Sequence, residues 1–165
     1  ARRKLLTKKE LAAEIKCSTR TIVPGLCKAT MAVGIDPGVN TGLATYNRQT
    51  KKIEKIFPAL TMGDAQQNLL AIAEQYPENL LVIVEDARKK VVPKKFQKPE
   101  RAYGAGHVRA MCYMWEDFLS RNGFTFAMVA PRGFKLSKWD LEKYTGYVGL
   151  TSQHGRDAAM LVFKI

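Results

Sequence analysis

Apolar positions along this chain recur with two different periods, and the switches between them mark out the elements. Ala32 to Ile35 is a short apolar run closed by the turn Asp36-Pro37-Gly38, and Gly42 to Tyr46 and Ile53 to Phe57 read as two further strands. Ala65, Leu69, Ile72 and Ala73 then fall at helical spacing until Pro77 ends the pattern. Leu80 to Val84 is continuously apolar, as a central strand covered on both faces should be. Val108, Met111, Cys112, Trp115, Phe118 and Leu119 mark one face of a long helix from about Ala105 to Leu119, which Asn122-Gly123 terminates. A fifth strand over Phe124 to Val129, a helix around Ser137 to Tyr144 and a last helix from about Gln153 to Ile165 complete the order β-β-β-α-β-α-β-α-α. This order predicts an α/β fold, a mixed five-stranded sheet with helices on both faces.

Ahead of that pattern, Thr7-Lys8-Lys9-Glu10 has the form of a capping box and Leu11, Ala12 and Ile15 make an apolar stripe, so a short helix over Lys8 to Lys16 is expected. Ser18 could cap a second helix, in partial likeness to a helix-turn-helix. Pro24-Gly25 would stop it after about five residues, too short for a groove-reading element. Residues 1–30 are therefore read as a basic helical appendage to a single domain over 31–165, with Met31 a candidate start site. The 165 residues and 46% hydrophobic content suit one core and leave little room for a second domain. No run approaches the roughly 18 consecutive apolar residues of a membrane helix, and Leu5-Leu6 followed by Thr7-Lys8-Lys9-Glu10 is no signal-peptide core. The expectation is a soluble protein with no membrane contact. Cys17, Cys27 and Cys112 form no C-x-x-C pair and read as buried free thiols in a reducing compartment.

Charge changes this picture. Lys and Arg number 27 against 15 Asp and Glu, a net +12. Residues 1–30 carry eight positive side chains against two acids, residues 88–101 carry seven against one, and the rest of the chain balances at twelve of each. An excess confined to two segments points to a polyanion partner. In the second segment Arg88, Lys89, Lys90, Lys94, Lys95, Lys98 and Arg101 interleave with Val91-Val92-Pro93, Phe96 and Pro99, a pattern suited to a phosphate backbone with a base to stack. Lys138 joins these as a candidate DNA contact.

Acids supply the candidate chemistry. Asp36 and Glu85 each follow a buried strand, and adjacent parallel strands joined by a crossover helix would deliver both at the carboxyl edge of the sheet, where α/β folds place ligands. Two carboxylates packed together repel unless one is protonated or a divalent metal lies between them. His154 and Asp157, three apart, share a face at the start of the last helix, where carboxylate and imidazole make plausible metal ligands. Ala158-Ala159 would let that end of the helix approach the sheet closely. His107 is read as a helix-start residue, Glu116 and Asp117 as solvent-facing acids, and Trp139 and Tyr144 as packing residues.

Gly34-Ile35-Asp36-Pro37-Gly38-Val39-Asn40-Thr41-Gly42 resembles the first-strand motif of the RuvC family of Holliday junction resolvases. Val82-Ile83-Val84-Glu85 is similar to that family's second acidic strand, and His154-Gly155-Arg156-Asp157-Ala158-Ala159 to its closing helix, the three in the family's order over Met31 to Ile165. The resemblance implies an RNase H-like fold and a homodimer that cuts branched DNA with Mg2+. It places Asp36, Glu85, His154 and Asp157 in the active site and Lys135 near the scissile phosphate. Two magnesium ions are expected, with Mn2+ as a substitute, and no small-molecule cofactor. His154 stands where many members have Asp, a substitution the family accepts. Two departures stand out. The interval from Thr145-Gly146 to His154 is shorter than in bacterial members, leaving no match for the family's other DNA-contacting lysine. Arg88 occupies the place of a junction-stacking aromatic, a role Phe96 could take. A compact basic version suggests a phage or prophage enzyme acting in the cytoplasm of a bacterium or infected host.

The function expected is metal-dependent resolution of four-way DNA junctions by paired symmetrical cleavage. A general RNase H-like nuclease without junction selectivity and a non-catalytic DNA-binding module are the alternatives. An actin-like kinase, which also opens on a strand, Asp-x-Gly and a glycine-rich turn, needs two domains and is excluded by length.

Overall fold

A computed structural model describes residues 29–77, 79–89, 99–131, 133 and 135–165, the stretch 99–103 by its backbone. The expected appendage, apart from its last two residues, lies outside the described residues, as do Lys90, Lys94, Lys95, Phe96 and Lys98 of the basic segment. Five strands form one sheet: β1 (Met31–Asp36), β2 (Gly42–Asn47), β3 (Lys52–Ile56), β4 (Leu80–Glu85) and β5 (Phe126–Val129), in the order β3-β2-β1-β4-β5. The first three make an antiparallel meander, while β4 pairs parallel with β1 and with β5. Among the described residues four α-helices accompany the strands: α1 (Met62–Gln75), α2 (Pro99–Arg121), α3 (Lys138–Thr145) and α4 (Gln153–Val162). This is the expected mixed five-stranded sheet covered on both faces.

Pleat alternation decides which helices lie on which face. Val33, Ile35, Val82 and Val84 point to one side, where Ala65, Leu69 and Ile72 of α1 meet Cys112, Trp115 and Leu119 of α2. Ala32, Ala44, Leu81 and Ile83 point to the other, against Leu141 of α3 and the run Ala158 to Phe163 of α4 and its end. Strands β1 and β4, apolar toward both layers, are the fully buried centre. Cys112 is a buried free thiol, and burial pushes its pKa up, so it stays an unreactive core group. Among the described residues no helix is long and apolar enough to cross a membrane.

Several local expectations are corrected. The long helix starts at Pro99 rather than about Ala105, because proline suits a helix's first turn, where its missing N–H is not needed. His107 is consequently an exposed residue inside α2, not at its start. Glu116 is half-buried, because Arg88 reaches it across the chain, while Asp117 does remain at the surface with Arg121. Trp139 and Tyr144 are 65% and 60% exposed and so do not serve as packing residues. The short helix α3 buries Leu141 alone, and at roughly 100° per residue Trp139 lies about 200° around the axis from it. Its ring carries Lys143 Nζ 4.9 Å from the centroid instead.

Candidate active site

The parallel pairing of β1 with β4 fixes where the acids emerge. Ile35 is level with Val84, so one step further along both strands Asp36 stands level with Glu85. Alternation puts both on the side of Ala32, Leu81 and Ile83, the side covered by α4. The expectation that adjacent parallel strands deliver the two acids to one edge thus holds at the level of the backbone.

Helix α4 reaches that edge because two glycines let it. A Cβ on Gly34 would fall on the carbonyl oxygen of Ala158, and one on Gly42 on the carbonyl oxygen of His154. Those are backbone atoms, which cannot swing aside. Ser152 caps the helix by accepting from the Gly155 N–H at 3.0 Å, so the first turn is held where it touches the sheet. Sequence reasoning attributed the close approach to Ala158-Ala159, which are indeed buried, but the strand glycines opposite are as necessary. The available signal was glycine inside strands, which commonly marks a close backbone approach.

Three candidate ligands converge there. One ligand atom from each of Asp36, His154 and Asp157 lies within 4.8 Å of the others. His154 Nδ1 is 2.7 Å from Asp36 Oδ2 and, with the carboxylate ionised, donates its proton there. Gln153 Nε2 donates to Asp157 Oδ1 at 2.8 Å. Asp36 is 8% exposed, whereas the His154 side chain is 40% exposed and forms the solvent side of the cluster. Glu85 stands outside this trio, on the neighbouring strand end.

Electrostatics explain what such a cluster needs. Burial raises the pKa of Asp36 above its ordinary value; the hydrogen bond with His154 and the His154 charge pull it down, Asp157 pushes it up, and Lys135 pulls it down again. Lys135 is therefore close enough for its charge to be felt. Two carboxylates gathered in a partly dry corner form a donor set that a divalent cation would satisfy, and carboxylate oxygens suit Mg2+ or Mn2+. The same pKa shift predicts a pH dependence. A carboxyl that holds its proton more tightly in the folded state makes stability fall as pH rises from its unfolded value of about 3.9 through the raised one. Above that window the ionised Asp36 is a constant cost. Asp36→Asn is expected to stabilise the protein in chelator, and the gain should grow through that window and level off above it, as denaturant melts across pH would record. An advantage already full at pH 3 would contradict this account.

The DNA-contact candidates are distributed unevenly. Arg88 donates to Asp86 Oδ1 and Oδ2 at 2.7 and 2.8 Å and to Glu116 Oε2 at 2.5 Å, and its guanidinium lies 4.4 Å from the Tyr113 ring centroid. The hydrogen bond with Asp86, itself 2% exposed, raises the Arg88 pKa further, so its charge is permanent and spent internally. It braces the chain after β4 and is not presented to a phosphate. Lys89 Nζ likewise donates to the Met128 carbonyl at 2.7 Å. Lys138 is exposed, with Glu142 3.7 Å away. Arg101 is placed on α2 by its backbone. Sequence reasoning missed Asp86 and Glu116 as partners because an acid just past a strand end and one on a helix face both look like solvated surface.

No protein-family model matches the chain, and no curated protein matches it in sequence. Among solved structures, that of T. thermophilus RuvC in complex with a Holliday junction substrate is similar to it with a TM-score of 0.47 and 16% identity, covering 81% of this chain and 90% of that one.

Proposed function

We propose that the chain is a metal-dependent endonuclease that resolves four-way DNA junctions. The observation that carries this reading is the convergence of Asp36, His154 and Asp157 at the carboxyl edge of the sheet, with Glu85 level with Asp36 on the next strand. Asp36 is the shared member, grouped with His154 and Asp157 and level in register with Glu85 on the next strand. Bound divalent ions, two Mg2+ or Mn2+ in this reading, would supply Lewis-acid charge to a phosphoryl oxygen and lower the pKa of an attacking water. The chain's own part is to hold the ligands. Asp36 orients the His154 ring through Nδ1, which leaves Nε2 as the atom able to take or return a proton. Lys135, which is exposed and whose charge acts on Asp36, is in this reading the cation that meets a phosphate.

Substrate binding in this proposal rests on Lys90, Lys94, Lys95, Lys98, Arg101 and Lys138, with Phe96 as a stacking residue; Arg88 and the Lys89 ammonium brace the base of the segment. Paired cuts need two active sites, so the proposal includes a two-fold dimer. Helix α2 is its seam, since Tyr113 and Met114 remain 63% and 57% exposed after Trp115 and Leu119 have covered the sheet. The cytoplasm of a bacterium or an infected host is the compartment that fits a DNA-acting enzyme of this kind.

The deciding experiment incubates the protein with a labelled four-way junction and with linear duplex, with and without Mg2+, and measures its mass in solution. A dimer that turns the junction into two nicked duplexes only with metal, and leaves linear duplex nearly intact, is expected. A monomer cutting both substrates alike would reduce the reading to a general nuclease on this fold, and binding without cutting would reduce it to a DNA-binding module.

A further inference from the structure

Arg156 lies in the closing motif but is not one of the four proposed active-site residues, and its guanidinium donates to Leu136, Thr151 and Gln153. Its Nε–H donates to the Leu136 carbonyl at 2.9 Å. Its Nη1 donates to the Thr151 carbonyl at 3.2 Å and to Thr151 Oγ1 at 3.0 Å, and its Nη2 donates to Gln153 Oε1 at 2.8 Å. The Gln153 amide then has its nitrogen on Asp157 Oδ1 at 2.8 Å. That amide cannot be turned round. A guanidinium has donors only and an ionised carboxylate acceptors only, so the oxygen must face Arg156 and the nitrogen Asp157.

We infer that Arg156 and Gln153 are positioning residues that set two proposed active-site groups at once, the Asp157 carboxylate and the segment carrying Lys135. This rests on the metal-site reading above. Leu136 follows Lys135 directly, and residues 135–137 form a stretch without regular secondary structure ahead of α3. The bond from Arg156 Nε to the Leu136 carbonyl ties that stretch to the start of α4. On the other side, an arginine next to Asp157 in sequence could have paired with its carboxylate directly and cancelled the charge a cation needs. Interposing the Gln153 amide avoids this. A neutral donor fixes one oxygen and the orientation of the group, while the negative charge stays available.

The consequence is a separation of metal affinity from fold stability. Partners that orient a metal ligand are typically worth about 10- to 100-fold in affinity. Gln153 is only half-buried and its amide's role is local, so Gln153→Leu should weaken Mn2+ binding by about that factor while the metal-free melting temperature stays close to wild type. Arg156→Met should weaken Mn2+ binding to a similar degree, and it should also make Lys135 redundant. Lys135→Ala should then cost cleavage in the wild-type background and nothing further in the Arg156→Met background. Mn2+ titration calorimetry on the full chain, with thermal melts in chelator, reads the first effect without reference to activity. Should Arg156→Met fail to fold, Gln153→Leu still decides. Wild type and both variants binding Mn2+ equally would overturn the positioning role and leave the metal site standing. A wild type that binds no Mn2+ would overturn the metal site and this role with it.

Discussion

Asp36→Asn, Glu85→Gln and Asp157→Asn are each expected to lower metal-dependent cleavage of a four-way junction by about a thousandfold or more, with DNA binding as tight as wild type or tighter. A metal centre contributes several kcal/mol of transition-state stabilisation, and each 1.36 kcal/mol is about tenfold in rate. An amide keeps the shape of the side chain and removes the charge that holds the ion. Binding should not suffer, because each change also removes an anion from the edge that a phosphate must approach. His154→Ala is expected to cost about 10²- to 10⁴-fold, the range of a proton-handling group. Single-turnover cleavage and a binding assay on the same preparations measure both halves. Asp36→Asn adds an internal control, since burial of the ionised carboxylate is expected to make the metal-free wild type the less stable of the two at neutral pH. Wild-type cutting by any of the three carboxyl variants would remove that residue from the site. The same result at Asp36, the member common to both halves of the cluster, would remove the site itself.

The acids were legible in the sequence because strands end visibly. The run Ala32 to Ile35 stops at Asp36 and the run Leu80 to Val84 stops at Glu85, each a change from apolar to charged that marks a strand leaving the core. The helical run between them implies a crossover, and the crossover makes the two strands parallel, as β1 and β4 are. The helix face shared by His154 and Asp157 followed from spacing alone. Arg88 did not yield to the same reasoning. Its partners are Asp86, two residues away, and Glu116, on the far side of the basic segment. Composition reports a basic run there but cannot say which of its charges are already matched. Trp139 shows the complementary limit. Large aromatic residues are usually buried, yet a helix of eight residues that buries Leu141 alone leaves its opposite side in solvent. In both cases the deciding quantity is how much surface a neighbouring element covers, which periodicity within one element does not contain.

Gly42→Val should separate the glycines' contribution from that of the ligands themselves, and its effect is expected on stability and chemistry together. Any Cβ at Gly42 meets the carbonyl oxygen of His154, and at Gly34 the carbonyl oxygen of Ala158, so helix α4 must retreat from β1 and β2 to admit a side chain. Overpacking of a filled interior costs about 1–3 kcal/mol, and in a chain of this size each kcal/mol moves the melting temperature by about 2–4 °C. A fall of about 2–12 °C is therefore expected. The retreat carries His154 and Asp157 away from Asp36, and a misplacement near 1 Å can cost about 10²-fold in rate. Cleavage should fall at least that far in the fraction that remains folded, and Mn2+ affinity should fall with it, although no ligand has been altered. Gly63→Ala on α1 is the matched control, because beyond its own turn of helix nothing lies within 4 Å of its would-be Cβ. An alanine that a helix accepts without strain stabilises by about 0.4–1 kcal/mol, so that variant should melt slightly higher and cut normally. A Gly42→Val protein with wild-type melting and wild-type cutting would mean that α4 does not need its contact with the sheet to build the site, and the close approach would lose its functional meaning.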